Sequence, residues 1–443
     1  MKSIIISSDR SGGGKTTVTL GIMRALMKKG FSVQGYKVGP DYIDPAFHTF
    51  ITNRPSRNLD LYFMGEDGVK ASFSRGNGDL GIVEGVMGLY DGLLIDSKYS
   101  TAHVAKTLGL PVILVISPKA QSTTLCAEIN GIVNFEDINI AGIIFNNITQ
   151  SYYELVNAVV NKNCSVDVLG FIPKNDKLVL KSRHLGLVQS SEIEDLNEKI
   201  DVCSELVLKY VDVDKLVRCF KKSGDFKNND NYHMKNKRLR IAVPYDRAFS
   251  FYYTENIELL KEIGEVEFFS PLKDKKLPEN TNFMYIGGGY PEVFASELSY
   301  NKDMLLSVKG KLENGLRCYA ECGGLMYLTQ GIQNIDGDKT FEMVGFFNGE
   351  THMTKKLQNF GYASIKVRES NNILPCSMTI NCHEFHKSYV NLKENTIYDV
   401  TKRKYDNSLK VWKCGYLKRN TLASYAHVHF FGNLDMLDHL TDV

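Results

Sequence analysis

Ser3-Ile4-Ile5-Ile6-Ser7-Ser8 runs directly into Asp9-Arg10-Ser11-Gly12-Gly13-Gly14-Lys15-Thr16-Thr17. The first stretch reads as a buried strand and the second as a glycine loop. A helical pattern then continues to about Lys29, with Gly30 suited to close it. Strand, glycine loop and helix in that order make a phosphate site. Glycines let backbone N–H groups wrap around phosphate oxygens, and the helix N-terminus adds its partial positive charge. Gly12, Gly13, Gly14, Lys15, Thr16 and Thr17 are the candidate nucleotide-binding residues, with Lys15 reaching the outer phosphates and the Thr16 hydroxyl able to ligate Mg²⁺.

Beyond the loop, strand-like runs at Ser32–Val38, Asp79–Glu84, Pro111–Ile116 and Ile138–Asn146 alternate with helix-patterned sequence, the rhythm of a parallel α/β sheet. Ligands of such sheets bind outside the carboxyl ends of the strands, so acids there are the ones to search for. Asp41 and Asp44 follow the second strand in KVGPDYIDP, and Glu84 ends a later strand before GVMGLYDG, which carries Asp91. A carboxylate in such a place holds Mg²⁺ directly or through water. Glu84 is the first choice, and Thr16, Asp44 and Glu84 form the expected metal set. Asp beside Gly or Pro is also an ordinary turn choice, which applies to Asp41, Asp44 and Asp91.

From Lys221 to Arg238 the chain turns polar, rich in Lys and Asn, as a solvated linker does. The expected division is therefore 1–220, a linker over 221–238, and 239–443. The pattern restarts with strands at Leu239–Pro244, Val266–Phe269, Phe283–Gly287 and Arg317–Glu321, a second α/β domain. Arg317-Cys318-Tyr319-Ala320-Glu321-Cys322-Gly323-Gly324 reads as a strand running into a sharp turn and a helix, with Cys322 at the turn, where a helix N-terminus favours the thiolate. A thiolate there wants an imidazole. His427 and His429, two residues apart in Ala423–Phe430, are the candidates, and His427 is preferred. Gly288 and Gly289, in the turn Gly287-Gly288-Gly289-Tyr290-Pro291-Glu292, offer backbone N–H groups for an oxyanion hole.

The 443 residues suit two or three domains at about 150 residues each. A formal net charge of +2 gives no electrostatic reason to expect nucleic acid or an anionic membrane. No stretch reaches the roughly 20 apolar residues of a membrane span, and the N-terminus lacks a signal-peptide core, so the chain reads as mature and cytoplasmic. Nine cysteines without C-x-x-C spacing indicate neither a disulfide framework nor a zinc site.

Asp9 in place of the usual first loop glycine is a variation similar to the P-loop branch of dethiobiotin synthetase and the partition ATPases, although Ser11 is not the second signature lysine of the partition group. Both halves together resemble the cobyrinate a,c-diamide synthase family over nearly the whole chain. The strings that carry the resemblance are SGGGKTTVTLG from Ser11, KVGPDYIDPAFH from Lys37, VEGVMGLYDG from Val83, Arg183-His184-Leu185-Gly186-Leu187, Gly287–Glu292, Glu321–Leu328, His383-Glu384-Phe385-His386 and Ala423–Phe430. The resemblance implies a dethiobiotin-synthetase-like P-loop domain followed by a class I glutamine amidotransferase-like domain. It implies ATP, L-glutamine and cobyrinate as substrates, Mg²⁺, and amidation of the a and c side chains through acyl phosphates, with ammonia from glutamine. By position, Cys322 is the nucleophile and His427 the base. Asp41, Asp44, Glu84 and Asp91 lie around metal and acyl phosphate, and Tyr42 and Ile43 beside the carboxylate that reacts. Class I glutaminases often carry His-x-Glu, whereas here His429 holds the third position, which leaves open whether Glu384 or another acid orients His427.

Arg183 and His184 are expected either to pair with substrate carboxylates or to be core or salt-bridged surface. The same choice holds for Phe249, Phe251, Tyr252 and Tyr253 as a flat apolar ligand surface or as core. A nickel-sirohydrochlorin a,c-diamide synthase shares these features with another macrocycle. A P-loop switch ATPase would need neither Cys322 nor His427. A homo-oligomer is compatible with the sequence.

Overall fold

The computed structural model describes residues 1–175, 178, 196–224, 226 and 231–443, with the backbone of 182–183 and 186–187. The side chains of Arg183 and His184 lie outside the described residues. Contacts divide the chain into two units, one of Met1–Leu61 with Gly65–Asn229 and one of Tyr62–Met64 with Asp230–Val443.

In the first unit, strands β1 (Lys2–Ser8), β2 (Val33–Val38), β3 (Arg57–Leu59), β4 (Leu80–Glu84), β5 (Val112–Ile116), β6 (Ile140–Ile148) and β7 (Val168–Pro173) form a sheet in the order β3-β2-β4-β1-β5-β6-β7. Every pair along that path is parallel. Ile4, Ile5 and Ile6 are all fully buried, as expected of a central strand covered on both faces, and each such side chain contributes about 1.5–3 kcal/mol. Helix α1 (Lys15–Lys28) buries Val18, Ile22 and Leu26 against the same core as Ile4 and Ile6. It ends as expected at Gly30, whose φ of 91° lies in the left-handed region and whose N–H donates to Met27 O at 2.9 Å. From β1 the chain goes first to β2 and β3, returns to β4, and then crosses to β5 on the other side of β1. This reversal opens a crevice at the carboxyl end of β1, where the glycine loop lies. Lys221–Lys222, read from composition as linker, pair antiparallel with Lys2–Ser3, because two residues are too few to carry a strand pattern.

In the second unit, Gly264–Phe269, Leu239–Pro244, Phe283–Ile286, Arg317–Glu321 and Thr421–Ser424 lie side by side in that order and parallel. Beyond Thr421–Ser424 the sheet becomes antiparallel through Leu409–Lys418, Thr396–Arg403 and Gly349–Val367, the last also pairing with Thr379–Leu392. Those long strands leave no trace in a search for apolar runs, since most of their residues are partly or fully exposed. Phe249 and Tyr253 are buried in the core, and the Tyr252 hydroxyl donates to Pro244 O at 2.6 Å and accepts from Gly287 N at 3.0 Å. For these residues the core reading holds over the ligand surface. Among the described residues no helix is long and apolar enough to cross a membrane.

Candidate active site

The phosphate loop is shaped by contacts that exclude side chains. Gly12 and Gly14 have φ of 73° and 89°. A Cβ on Gly13 would lie 2.0 Å from Ser8 Oγ, and one on Gly14 would lie 2.0 Å from Asn146 Nδ2. The loop is tied from behind at Gly13 O, which accepts from Ser117 Oγ at 3.0 Å and Asn146 Nδ2 at 3.3 Å, at the carboxyl ends of β5 and β6. Lys15 folds back onto Arg10 O and Met87 O. Burial, followed by the charge of Lys37, pulls its pKa below the ordinary lysine value despite Glu84, Asp44 and Asp9. Gly12, Gly14, Lys15, Thr16 and Thr17 line a cavity of about 660 Å³, as do Asp41, Asp44 and Glu84.

Inside it, the expected metal set comes together. Thr16 Oγ1 donates to Glu84 Oε1 at 2.7 Å and lies 3.4 Å from Asp44 Oδ2. Asp44 is placed by the start of α2 (Ile43–Thr52), where Asp41 Oδ1 accepts from the backbone of Ile43 at 2.8 Å and of Asp44 at 3.1 Å. Asp41 thus ties down the first turn of the helix, which starts at Ile43 just after Tyr42. Asp91 is not brought to this cluster, because its Oδ2 accepts from Gly88 N at 2.7 Å and closes its own turn.

Lys37 and His48, to which the sequence assigns no role, complete the cluster. The Lys37 ammonium lies against Asp44 and at 3.0 Å from Glu84 Oε1, and it donates to Gly85 O at 3.1 Å. His48 Nε2 lies 2.8 Å from Glu84 Oε2 while its Nδ1 faces Ser56 Oγ at 3.2 Å. Burial pushes Glu84 up, but Lys37, His48 and Thr16 outweigh it and hold the carboxyl below its ordinary range. Asp44 goes the other way, raised by burial and by the charges of Asp41 and Glu84. A lysine inside a wholly buried strand was the available signal, since lysine is almost never buried unpaired. Hard oxygens from Thr16, Asp44 and Glu84 converging beside a phosphate loop fit a small divalent cation.

In the second unit Cys322 lies where Arg317–Glu321 turns into the helix Gly323–Leu328, with φ 49° and ψ −102°. That conformation is strained for a residue with a Cβ, and such strain clusters at functional turns. The elbow is held by Cys322 N donating to Ser424 O at 2.7 Å. Packed on it is the glycine turn: a Cβ on Gly323 would lie 2.9 Å from Pro291 and 3.1 Å from Gly289 N. On its other side, a Cβ on Gly288 would lie 2.6 Å from His427 Cε1. Gly288 and Gly289 therefore sit with the elbow and His427. Two expectations are modified. Burial, with the charges of Glu292, Glu384 and Glu321, raises the Cys322 thiol well above the ordinary value, so the helix terminus does not by itself yield a thiolate. Glu384 is engaged elsewhere, with His386 Nε2 at 3.0 Å and Trp412 Nε1 at 3.1 Å. The acid beside His427 is Glu321, whose Oε2 is 3.8 Å from Nδ1. His429 points away, 3.5 Å from Glu255.

Residues 4–188 match the family model of the CobQ/CobB/MinD/ParA nucleotide binding domain, and residues 240–434 that of the CobB/CobQ-like glutamine amidotransferase domain. The cobyrinate a,c-diamide synthase of Clostridium tetani is 63% identical over 442 residues, covering 100% of both chains. That of Clostridium acetobutylicum is 63% identical over 443 residues, covering 99% of this chain and 100% of its own. Among solved structures, the MinD cell division protein of Aquifex aeolicus covers 47% of this chain and 97% of its own, at 18% identity and a TM-score of 0.31. Fold, sites and family models define a glutamine-hydrolysing ligase, in which a P-loop nucleotide-binding half is joined to a glutamine amidotransferase half. The chain belongs to the cobyrinate a,c-diamide synthase family, enzymes of cobalamin biosynthesis. The relatives' names speak against the nickel macrocycle, and the amidotransferase half speaks against a switch ATPase. Families that use ATP in this way generally employ a divalent metal.

Proposed function

We propose that this enzyme converts the a- and c-side-chain carboxylates of cobyrinate to amides, using ATP and ammonia drawn from L-glutamine. In the first unit the backbone of Gly12, Gly13 and Gly14, with Lys15 and Thr17, binds the phosphates of ATP. The substrate carboxylate, held near Asp41, Tyr42 and Ile43, attacks the γ-phosphorus, giving an acyl phosphate and ADP. Thr16, Asp44 and Glu84 would hold Mg²⁺, which when bound neutralises charge developing on the phosphates. Lys37 and His48 keep Glu84 ionised for that task.

In the second unit Cys322 gives its thiol proton to His427 as the sulfur attacks the glutamine amide carbon. The amide N–H groups of Gly288 and Gly289 receive the developing oxyanion. The C–N bond breaks as His427 returns the proton to the leaving nitrogen, and water hydrolyses the thioester to glutamate. A thiol kept neutral by burial suits this order, because it becomes a nucleophile only as its proton moves. Ammonia then displaces phosphate from the acyl phosphate, and a second round gives the diamide. The strained Cys322 elbow beside Gly288 and His427 carries the reading, since a nucleotide switch has no use for it. The same reading makes the enzyme cytoplasmic, acting without nucleic acid or membrane; the net charge of +2 and nine free cysteines support it.

Mass spectrometry of cobyrinic acid and of nickel-sirohydrochlorin, each incubated with protein, MgATP and glutamine, tests it. Two carboxylates of the corrin are expected to become amides. Cys322→Ala is expected to abolish glutamine use and spare synthesis from free ammonia, while Lys15→Ala removes both. Amidation of the nickel compound alone, or loss of ammonia-driven synthesis in Cys322→Ala, overturns it.

A further inference from the structure

His427 needs an acid on the far side of its ring, and the usual place for one, two residues on, is occupied by His429. That residue cannot substitute. Its Nδ1 accepts from Phe431 N at 3.3 Å and its Nε2 faces Glu255 at 3.5 Å. Glu384 is excluded by its bonds to His386 and Trp412. Glu321 remains, the residue immediately before the nucleophile. It is 1% exposed, and both carboxylate oxygens are fixed. Tyr285 Oη donates to Oε2 at 3.1 Å, and the backbone N–H of Val428, next to the histidine in sequence, donates to Oε1 at 3.1 Å.

We propose that Glu321 is the positioning acid of the glutaminase centre: anchored by Tyr285 and Val428, it holds His427 through Nδ1 and stabilises the ring when it becomes charged. This rests on the assignment of Cys322 and His427 as nucleophile and base. A separation of 3.8 Å is that of an ion pair rather than of a hydrogen bond. The attraction is therefore strongest after the imidazole has taken the thiol proton, and this differential stabilisation lowers the barrier. With Nδ1–H turned to Glu321, Nε2 is the nitrogen that accepts the proton of Cys322 and returns it to ammonia. Because Glu321 and Cys322 are consecutive and their strand pairs with Thr421–Ser424, one stretch of backbone sets both ends of the relay.

Steady-state glutamine hydrolysis with MgATP and cobyrinate tests this in four variants. Glu321→Gln keeps the shape and an acceptor for Tyr285 but removes the charge. Its kcat is expected to fall on the order of 100-fold with KM for glutamine within about twofold, while ammonia-driven synthesis is retained. Tyr285→Phe, which loosens the carboxylate, is expected to lose several-fold in kcat with KM unchanged. A merely structural acid would move KM and thermal stability and leave kcat per folded molecule intact. Wild-type kcat in Glu321→Gln overturns the proposal; should that variant not fold, wild-type kcat in Tyr285→Phe does so. Cys322→Ala and His427→Asn must both abolish hydrolysis, and if either retains it, the underlying assignment fails instead.

Discussion

Lys37 keeps a positive charge at 3% exposure because three acids surround it. Burial would pull its proton away, but Asp44, Glu84 and Asp41 outweigh that and hold the ammonium firmly charged. The dependence is mutual, since removing one member of a buried ion cluster leaves the others uncompensated. Lys37→Met should therefore destabilise the first unit by about 3–5 kcal/mol, read as a fall in denaturant midpoint. An unchanged midpoint would mean that Asp44 and Glu84 do not rely on it. At Gly288 the constraint is steric: the 2.6 Å approach of His427 Cε1 leaves no room for a methyl group. Gly288→Ala should displace the ring and cut glutamine-driven turnover by about 10-fold or more, while ammonia-driven turnover persists. Residue type and motif order made Thr16, Glu84, Cys322 and His427 legible. Lys37, His48 and Glu321 were not, because what matters about them is which buried group each faces.

Single elements explain why the centres stand where they do. β1 is short, apolar and central, and the glycine loop is its continuation, so damage to the strand reaches the phosphate site. Ile6→Ala removes a fully buried side chain from the cluster shared with α1. It should cost about 2–5 kcal/mol, with the nucleotide site weakened in parallel, measured by urea unfolding and ATP binding. Unperturbed ATP affinity in the folded variant would show that loop and strand are independent. The central parallel strands of both units were readable because strands covered on both faces are continuous apolar runs, whereas Arg57–Leu59, Val168–Pro173 and Thr421–Ser424, short or at a sheet edge, were not among the expected strands. The antiparallel strands between Gly349 and Lys418 were not. Most of their residues are exposed or half-buried with no regular alternation, and their partners are set by long-range pairing.

On the scale of the molecule, one half-buried and one buried group of the second unit tilt stability in opposite directions with pH. Burial pushes Glu292 from its ordinary 4.5 up to about 7. The folded state then holds that proton more tightly than the unfolded chain, so its contribution is complete below pH 4.5 and is lost as pH rises through about 7. His383 is pushed down from 6.5 to about 3 by burial, with the charges of His427, Lys402 and His386 adding to it; its contribution is present above pH 6.5 and is lost as pH falls toward 3. Trp412 is the single tryptophan and lies in the second unit, so its fluorescence follows that unfolding. Urea midpoints should fall less on the alkaline side in Glu292→Gln and less on the acid side in His383→Gln. Profiles parallel to wild type would refute both assignments.

By itself the sequence determined that two α/β domains follow one another, that a phosphate loop ends the first strand, and that a cysteine stands at a strand-to-helix turn. These are local properties: apolar periodicity, glycine where φ must be positive, and residue type at a junction. Only the tertiary structure decided which acids serve which groups. Asp91 closes its own turn, Glu84 is shared by Thr16, Lys37 and His48, and Glu321 rather than Glu384 stands beside His427. The reason is physical. The charge state and role of a buried carboxylate depend on the groups within a few ångströms of it, and chain folding brings those groups from positions far apart in sequence.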